Sequence, residues 1–370
     1  MFRPVSFPLL RLCVAFLLTA VLSGCAMHEV RGQLTYDLRP KDQQLDVVLP
    51  PPPDKARYRY VGELHGEPNF SRQDSGASTA TKVLKWVVGL MEDSTPVLLQ
   101  RPQHGMVGEK DRVYVVDASR NAVMVFDPHP PADGKSDKEG GQLLVWDEIG
   151  DGIRLGSPVA VAQVWDGSIA VSDAKFGVVF HLDKNGNFIA AFGEGKLRRP
   201  TGLAFDSTRG RLFVADTAAN DIKVFDATGE IINTIRTAGE TPLNAPTLMS
   251  FSGDQLYVSD TFNSRIQVFD ADGKHVRGFG ERGLYVGNFA RPKGVAVDDG
   301  VVYVVESYYG RLLAFDDKAR FLMDIEGSGL KDDRFHLPSG VWTDNKGKIF
   351  VADMFNGRVV VFQFLGDKAE

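Results

Sequence analysis

The stretch "QLYVSDTFNSRIQVFDADG" (255–273) decides the fold. It carries two carboxylates, Asp260 and Asp270, each closing an apolar run. Carboxylates at fixed spacing serve acid/base chemistry or a cation site, and they also serve as architecture. Recurrence separates the two. The same pattern returns as "RVYVVDASRNAVMVFD" (112–127), "SIAVSDAKFGVVFHLD" (168–183), "RLFVADTAANDIKVFD" (211–226), "VVYVVESYYGRLLAFD" (301–316) and "KIFVADMFNGRVVVFQ" (348–363). The first carboxylate falls at Asp117, Asp173, Asp216, Asp260, Glu306 and Asp353, in steps of 56, 43, 44, 46 and 47 residues. Catalytic pairs do not come in six copies, so the carboxylates read as structural punctuation of a repeat.

Each repeat reads as four strands. Within 291–325, "RPKGVAVD" is a turn and a strand, "VVYVVE" and "RLLAFD" are strands, and "RFLMDI" is a fourth after a polar turn. The second strand of each copy is nearly all apolar, as a strand covered on both faces must be. The turns after the third strand, "DATGE", "DADGK", "DKNGN" and "DDKAR", are hairpin material. Four antiparallel strands in a unit of about 45 residues, six times over, predict an all-β, six-bladed β-propeller.

The motifs carry a family resemblance. "RPTGLAFD" (199–206), "RPKGVAVD" (291–298), "FVADTAANDIKVFD" (213–226) and "YVSDTFNSRIQVFD" (257–270) resemble the NHL repeat of six-bladed propellers. The resemblance covers roughly 95–363 in six degenerate copies, most of the chain. The copies are not equivalent: "AKFGVVFHLD" lacks the Asn and Arg of the motif, and Glu306 replaces Asp. The sixth copy stops after its third strand, "RVVVFQF" (358–364), while "RYRYVGELHG" (57–66) parallels the outer strand "KHVRGFGERG" (274–283). An N-terminal strand at 57–66 is therefore expected to close the ring and remove its open edges. The propeller proper is read as 97–366, with an extra segment at 67–96 ("TATKVLKWVVGLM") and a polar insertion at 128–141.

The N-terminus carries its own signal. "MFRPVSFPLLR" supplies two cations, "LCVAFLLTAVL" (12–22) is an apolar run too short to span a bilayer, and "LSGC" (22–25) resembles a bacterial lipobox. That resemblance implies a signal peptide at 1–24 and lipid on Cys25. Ala26, standing where an Asp would retain the protein at the inner membrane, implies outer-membrane delivery. Residues 25–56, with "LPPPPD" at 49–54, read as a polar, proline-rich tether. The only cysteines are Cys13 and Cys25, so no disulfide and no covalently attached c-type haem is expected. A net charge of −6 argues against a nucleic-acid groove.

Candidate chemistry is sparse. "GFGERG" (278–283) matches G-x-G-x-x-G but no helix follows, so it reads as an inter-blade loop. "DKNGN" (183–187) lacks the later ligands of a calcium loop and reads as a turn. Propeller chemistry usually sits where the first strands begin. Those positions include Gln103, His104, Thr201, Thr247, Lys293 and Ser339. NHL-like amidating lyases place histidines there on three blades to hold zinc, whereas this chain has His104 alone. Lactonase-type propellers hold calcium with acidic and amide side chains, and no Asp, Glu or Asn stands at these positions. No metal or cofactor is expected. The ring binds a small anion near Lys293 and His104, or it merely lines a water-filled channel. Phe176, Phe262, Tyr308, Tyr309 and Phe355 share the loop after the carboxylate, as a rim for a protein partner or as inter-blade packing. The expected function is a non-catalytic, lipid-anchored protein-binding scaffold in a cell-envelope complex. A lactonase- or lyase-like enzyme and a small-ligand or anion receptor are the alternatives.

Overall fold

The computed structural model describes residues 31–71, 95–129 and 140–366, apart from positions 40, 45, 151, 331 and 332. The stretch expected to be a signal peptide (1–24), Cys25 and most of the 67–96 and 128–141 segments lie outside the described residues. Six four-stranded antiparallel units follow one another around a ring. Blade 1 runs Pro102–Val107, Val113–Asp117, Ala122–Asp127, Gly141–Trp146, and blade 2 runs Pro158–Gln163, Ile169–Asp173, Val178–Leu182, Phe188–Phe192. Blade 3 comprises Pro200–Asp206, Arg211–Asp216, Asp221–Phe225 and Ile231–Ile235; blade 4 comprises Pro246–Ser252, Gln255–Asp260, Arg265–Asp270 and His275–Phe279. Blade 5 is Pro292–Asp298, Val301–Glu306, Arg311–Phe315 and Phe321–Ile325. The chain is a six-bladed β-propeller, with no α-helix among the described residues.

Blade 6 supplies three strands of its own, Val341–Thr343, Lys348–Asp353 and Arg358–Phe364. Its fourth is Tyr58–Leu64, which pairs antiparallel with Arg358–Phe364 from Val359↔Leu64 to Phe364↔Tyr58. The N-terminal strand thus closes the ring. Its alternation explains why: Tyr58, Tyr60 and Leu64 are buried, and Tyr58 packs edge-on to Tyr303 of blade 5 at 6.2 Å.

The stretch read as a free tether differs from that reading. Arg31–Leu34 adds an antiparallel strand to the outer edge of blade 1, with Gly32↔Gly141 in register, and Phe70–Ser71 pairs beyond it. Val48–Leu49 pairs with the closing strand on blade 6. The cause is burial: Leu34 and Tyr36 pack on the core between blades 1 and 6, and Val47 and Leu49 on that between blades 5 and 6. Asn69, fully buried, ties this arm down. It accepts from the backbone N–H of His65 (2.6 Å) and Gly66 (3.0 Å) and donates to the carbonyls of Thr35 (2.8 Å) and Glu63 (2.6 Å).

The second strands are buried along nearly their whole length because each blade is covered by two neighbours. Aromatic side chains fill the wedges between blades: Trp342 and Phe350, cross-strand neighbours in blade 6 stacked at 5.7 Å, pack against Val113, Val115 and Phe126 of blade 1. Burying side chains of this size contributes about 1.5–3 kcal/mol each.

Candidate functional site

The repeat carboxylates hold one face of the ring together. Asp117, Asp173, Asp216, Asp260, Glu306 and Asp353 are fully buried. Each accepts backbone N–H groups from the turn that enters its own blade. Asp216 takes those of Arg198 and Arg199, both at 2.8 Å, and Glu306 takes those of Ala290 (2.8 Å) and Arg291 (2.8 Å). The remaining oxygen orders the loop that follows: Asp173 accepts from Lys175 N–H (3.0 Å) and Phe176 N–H (3.2 Å), and Asp260 accepts from Asn263 Nδ2 (2.8 Å) and Arg265 Nε (2.9 Å). Buried acceptors satisfied in this way are structural. The turn entering the inner strand and the loop after the second strand therefore sit on the same face.

On that face the inner strands surround a cavity of about 320 Å³, lined among others by Gln103, Val159, Thr201, Thr247, Leu248, Lys293 and Ser339. Gln103, Val159, Thr201, Thr247, Lys293 and Ser339 each follow the proline of their own inner strand. The structure brings together every one of the channel residues named from sequence except His104. Side chains alternate along a strand, so the residue after that goes into the wall. Glycine stands there in three blades. An added Cβ on Gly202 would lie 2.2 Å from Thr247 O, and one on Gly340 2.6 Å from Gln103 O. In blade 1 this wall position is His104, buried, 6.0 Å ring to ring from Trp342, with Nδ1 accepting from Val161 N–H at 3.5 Å. Burial pulls its pKa down to about 4, so the ring is neutral at neutral pH.

The threonine and serine hydroxyls named from sequence, and the Gln103 amide, are already engaged. Thr201 Oγ1 pairs with Thr217 Oγ1 at 2.6 Å, and Thr217 Oγ1 donates to Pro246 O of the next blade at 2.6 Å. Thr247 and Thr261 repeat this one blade on, at 2.7 Å, with Thr261 Oγ1 donating to Pro292 O at 2.7 Å. Ser339 Oγ donates to Gln103 Oε1 at 3.2 Å. Lys293 differs. Its ammonium has no hydrogen-bond or ion-pair partner among the described residues. Burial and the charge of Arg291 lower its pKa. No carboxylate, imidazole or thiol lines the cavity, and no group of three or more His, Cys, Asp or Glu side chains among the described residues is placed to hold a metal.

The aromatic loops surround this opening. Phe176 is 49% exposed, Phe262 60%, Tyr308 63% and Phe355 43%. Tyr309 is half-buried, edge-on to Tyr308 at 5.1 Å. Arg101 lies over Phe355 at 4.8 Å. Sequence reasoning missed the loop at 281–289: Leu284 is 84% and Tyr285 83% exposed, and Leu284 lines a second cavity, about 400 Å³, with Tyr308, Tyr309 and Arg291. The signal was there. "LYV" (284–286) is an apolar run between glycines, outside every strand of the repeat.

With the geometry in hand, comparisons with known proteins agree on architecture. Residues 237–326 match a family, DUF5128, described as a 6-bladed beta-propeller. No curated protein matches the chain at a significant level. Among solved structures, a catalytically inactive histidine-to-alanine variant of virginiamycin B lyase from Staphylococcus aureus, with quinupristin, is 13% identical. It has a TM-score of 0.53 over 71% of this chain and 80% of that one. An auxiliary nutrient binding protein from Bacteroides thetaiotaomicron is 12% identical, with a TM-score of 0.55 over 72% of this chain and 69% of that one. A streptogramin B lyase is 13% identical, with a TM-score of 0.51 over 72% and 94%. These proteins do different things on one scaffold. The likeness, at 12–13% identity, is one of fold alone.

Proposed function

We propose that the protein is a non-catalytic binding scaffold with NHL-type repeats, docking a protein partner on the face where the channel opens. One observation carries this reading. Four aromatic side chains in the loop that follows the repeat carboxylate, Phe176, Phe262, Tyr308 and Phe355, are between 43% and 63% exposed on that face. The exposed Leu284 and Tyr285 extend the apolar surface beside Tyr308. Exposed aromatics grouped on one face, with arginine beside them, have the composition of protein-binding hot spots. The absence of a carboxylate or imidazole from the cavity lining supports binding over metal-assisted lactonase- or lyase-type chemistry.

The leader and "LSGC" (22–25) support a lipid anchor on Cys25 and delivery to the cell envelope, with the outer membrane as destination. Metabolic labelling with a fatty-acid analogue checks the anchor: label on the wild type and none on Cys25→Ser is the expected result. For the scaffold, the tagged full-length chain is cross-linked gently in membranes and purified. A stoichiometric protein that accompanies the wild type and is lost with Phe262→Ser/Tyr308→Ser supports the docking face. A chain that purifies alone, or a partner indifferent to those changes, overturns it.

A further inference from the structure

The channel cavity holds something the docking reading does not use. Thr201, Thr247, Ser339 and Gln103 spend their polar groups on bonds within and between blades. Lys293 and Arg199 line the same cavity and have no ion-pair or side-chain hydrogen-bond partner among the described residues. Arg199 is exposed, but Lys293 is half-buried; a cation left half-buried without a counter-charge is costly, and a bound anion is the natural relief. No acidic side chain lines the cavity to supply that charge internally. The repeat carboxylates beneath it, Asp216 and Glu306, are committed to the backbone N–H groups of the entry turns. The depressed pKa of Lys293 agrees, its causes being burial and the like charge of Arg291.

Beside the two cations the lining offers an apolar patch, Ala118, Pro158, Val159 and Leu248. The 320 Å³ volume lies at the small end of the range for ligand pockets. We infer that this cavity binds a small organic acid, its carboxylate held by Lys293 and Arg199 and its apolar part set against Val159 and Leu248. The site stands apart from the aromatic rim, since neither the rim side chains nor the 284–286 loop line it.

The test uses the full chain with benzoate as probe, benzamide as its neutral counterpart and inorganic phosphate as a plain anion, by titration calorimetry. Saturable benzoate binding, weakened at least tenfold by Lys293→Met and further by Lys293→Met/Arg199→Met, with no benzamide binding, is the expected result. Lys293→Arg should retain binding within a few-fold, which separates charge from folding. Benzoate should also move the NMR signal of the dimethylated Lys293 ammonium in the wild type. No saturable benzoate binding, equal binding of benzamide, or full binding by Lys293→Met overturns the proposal. Phosphate binding without benzoate binding overturns the organic-acid assignment. The Phe262→Ser/Tyr308→Ser protein should bind benzoate as the wild type does, so failure of the docking face and failure of this site are read independently.

Discussion

Arg358 Nη1 lies 2.8 Å from Glu63 Oε1, joining two residues 295 positions apart across the seam that closes the ring. The same guanidinium reaches Asp353 Oδ2 at 2.9 Å through Nε and Asp333 Oδ1 at 2.5 Å through Nη2. Burial pushes the Glu63 carboxyl up, but His65 at 2.7 Å and Arg358 outweigh it and hold its pKa below the usual range. Arg358→Ala would leave three poorly solvated carboxylates without their cation. Removing one partner of such a cluster costs about 3–5 kcal/mol. Denaturant unfolding should show that loss, and amide exchange along Tyr58–Leu64 should accelerate before the other blades respond.

The two carboxylates of the opening stretch should behave differently. Asp260 is fully buried and accepts from Asn244 N–H at 2.7 Å, besides Asn263 and Arg265. Asp260→Asn turns one acceptor into a donor facing donors, with a loss of about 1–3 kcal/mol. Asp270 uses only Oδ1, toward the N–H groups of Asp272 and Lys274 in an exposed turn. Asp270→Asn keeps that oxygen and should stay within about 0.5 kcal/mol of the wild type. Unfolding midpoints of the two variants check the ranking.

His104 gives the protein a defined acid sensitivity. Its folded pKa of about 4 lies below the unfolded value of 6.5, so the unfolded chain binds a proton that the folded chain refuses. The resulting stability is complete above pH 6.5 and is lost as pH falls toward 4. At pH 5 the loss is about 2 kcal/mol relative to pH 7.5. His104→Gln does not titrate, and its unfolding free energy should drop less between those two values. Parallel profiles for both proteins would remove His104 as the cause.

The wall glycines predict a steric failure. Gly202→Ala puts a Cβ 2.2 Å from Thr247 O, a backbone atom that no side-chain rotation can move. Overpacking of this kind costs about 1–3 kcal/mol and more where backbone must shift. Gly195→Ala tests the specificity of the effect: its Cβ meets nothing within 4 Å, so only its positive φ of 68° is strained. Thermal unfolding should place Gly202→Ala well below Gly195→Ala.

Much of this was legible in the order of residues alone. The spacing of Asp117 through Asp353 carries the six blades. The apolar second strands show which strand is covered on both faces, and the parallel between 57–66 and 274–283 points to the closing strand. Alternation after the proline sets Lys293 toward the cavity and His104 into the wall, a distinction the sequence reading, which placed both at the channel, did not draw. These are local facts, written in residues a few positions apart and repeated six times. The tertiary structure alone decided what depends on ring closure. Arg31–Leu34 covers an edge of blade 1 because the closing strand brings the arm there, and Arg358 meets Glu63 because the first and last parts of the chain share one sheet. Lys293 is left without a partner because no acidic side chain of any blade lines its cavity and the hydroxyls of Thr201, Thr247 and Ser339 are engaged elsewhere. No local pattern encodes such a remainder, since it depends on which side chains other blades deliver to the same cavity.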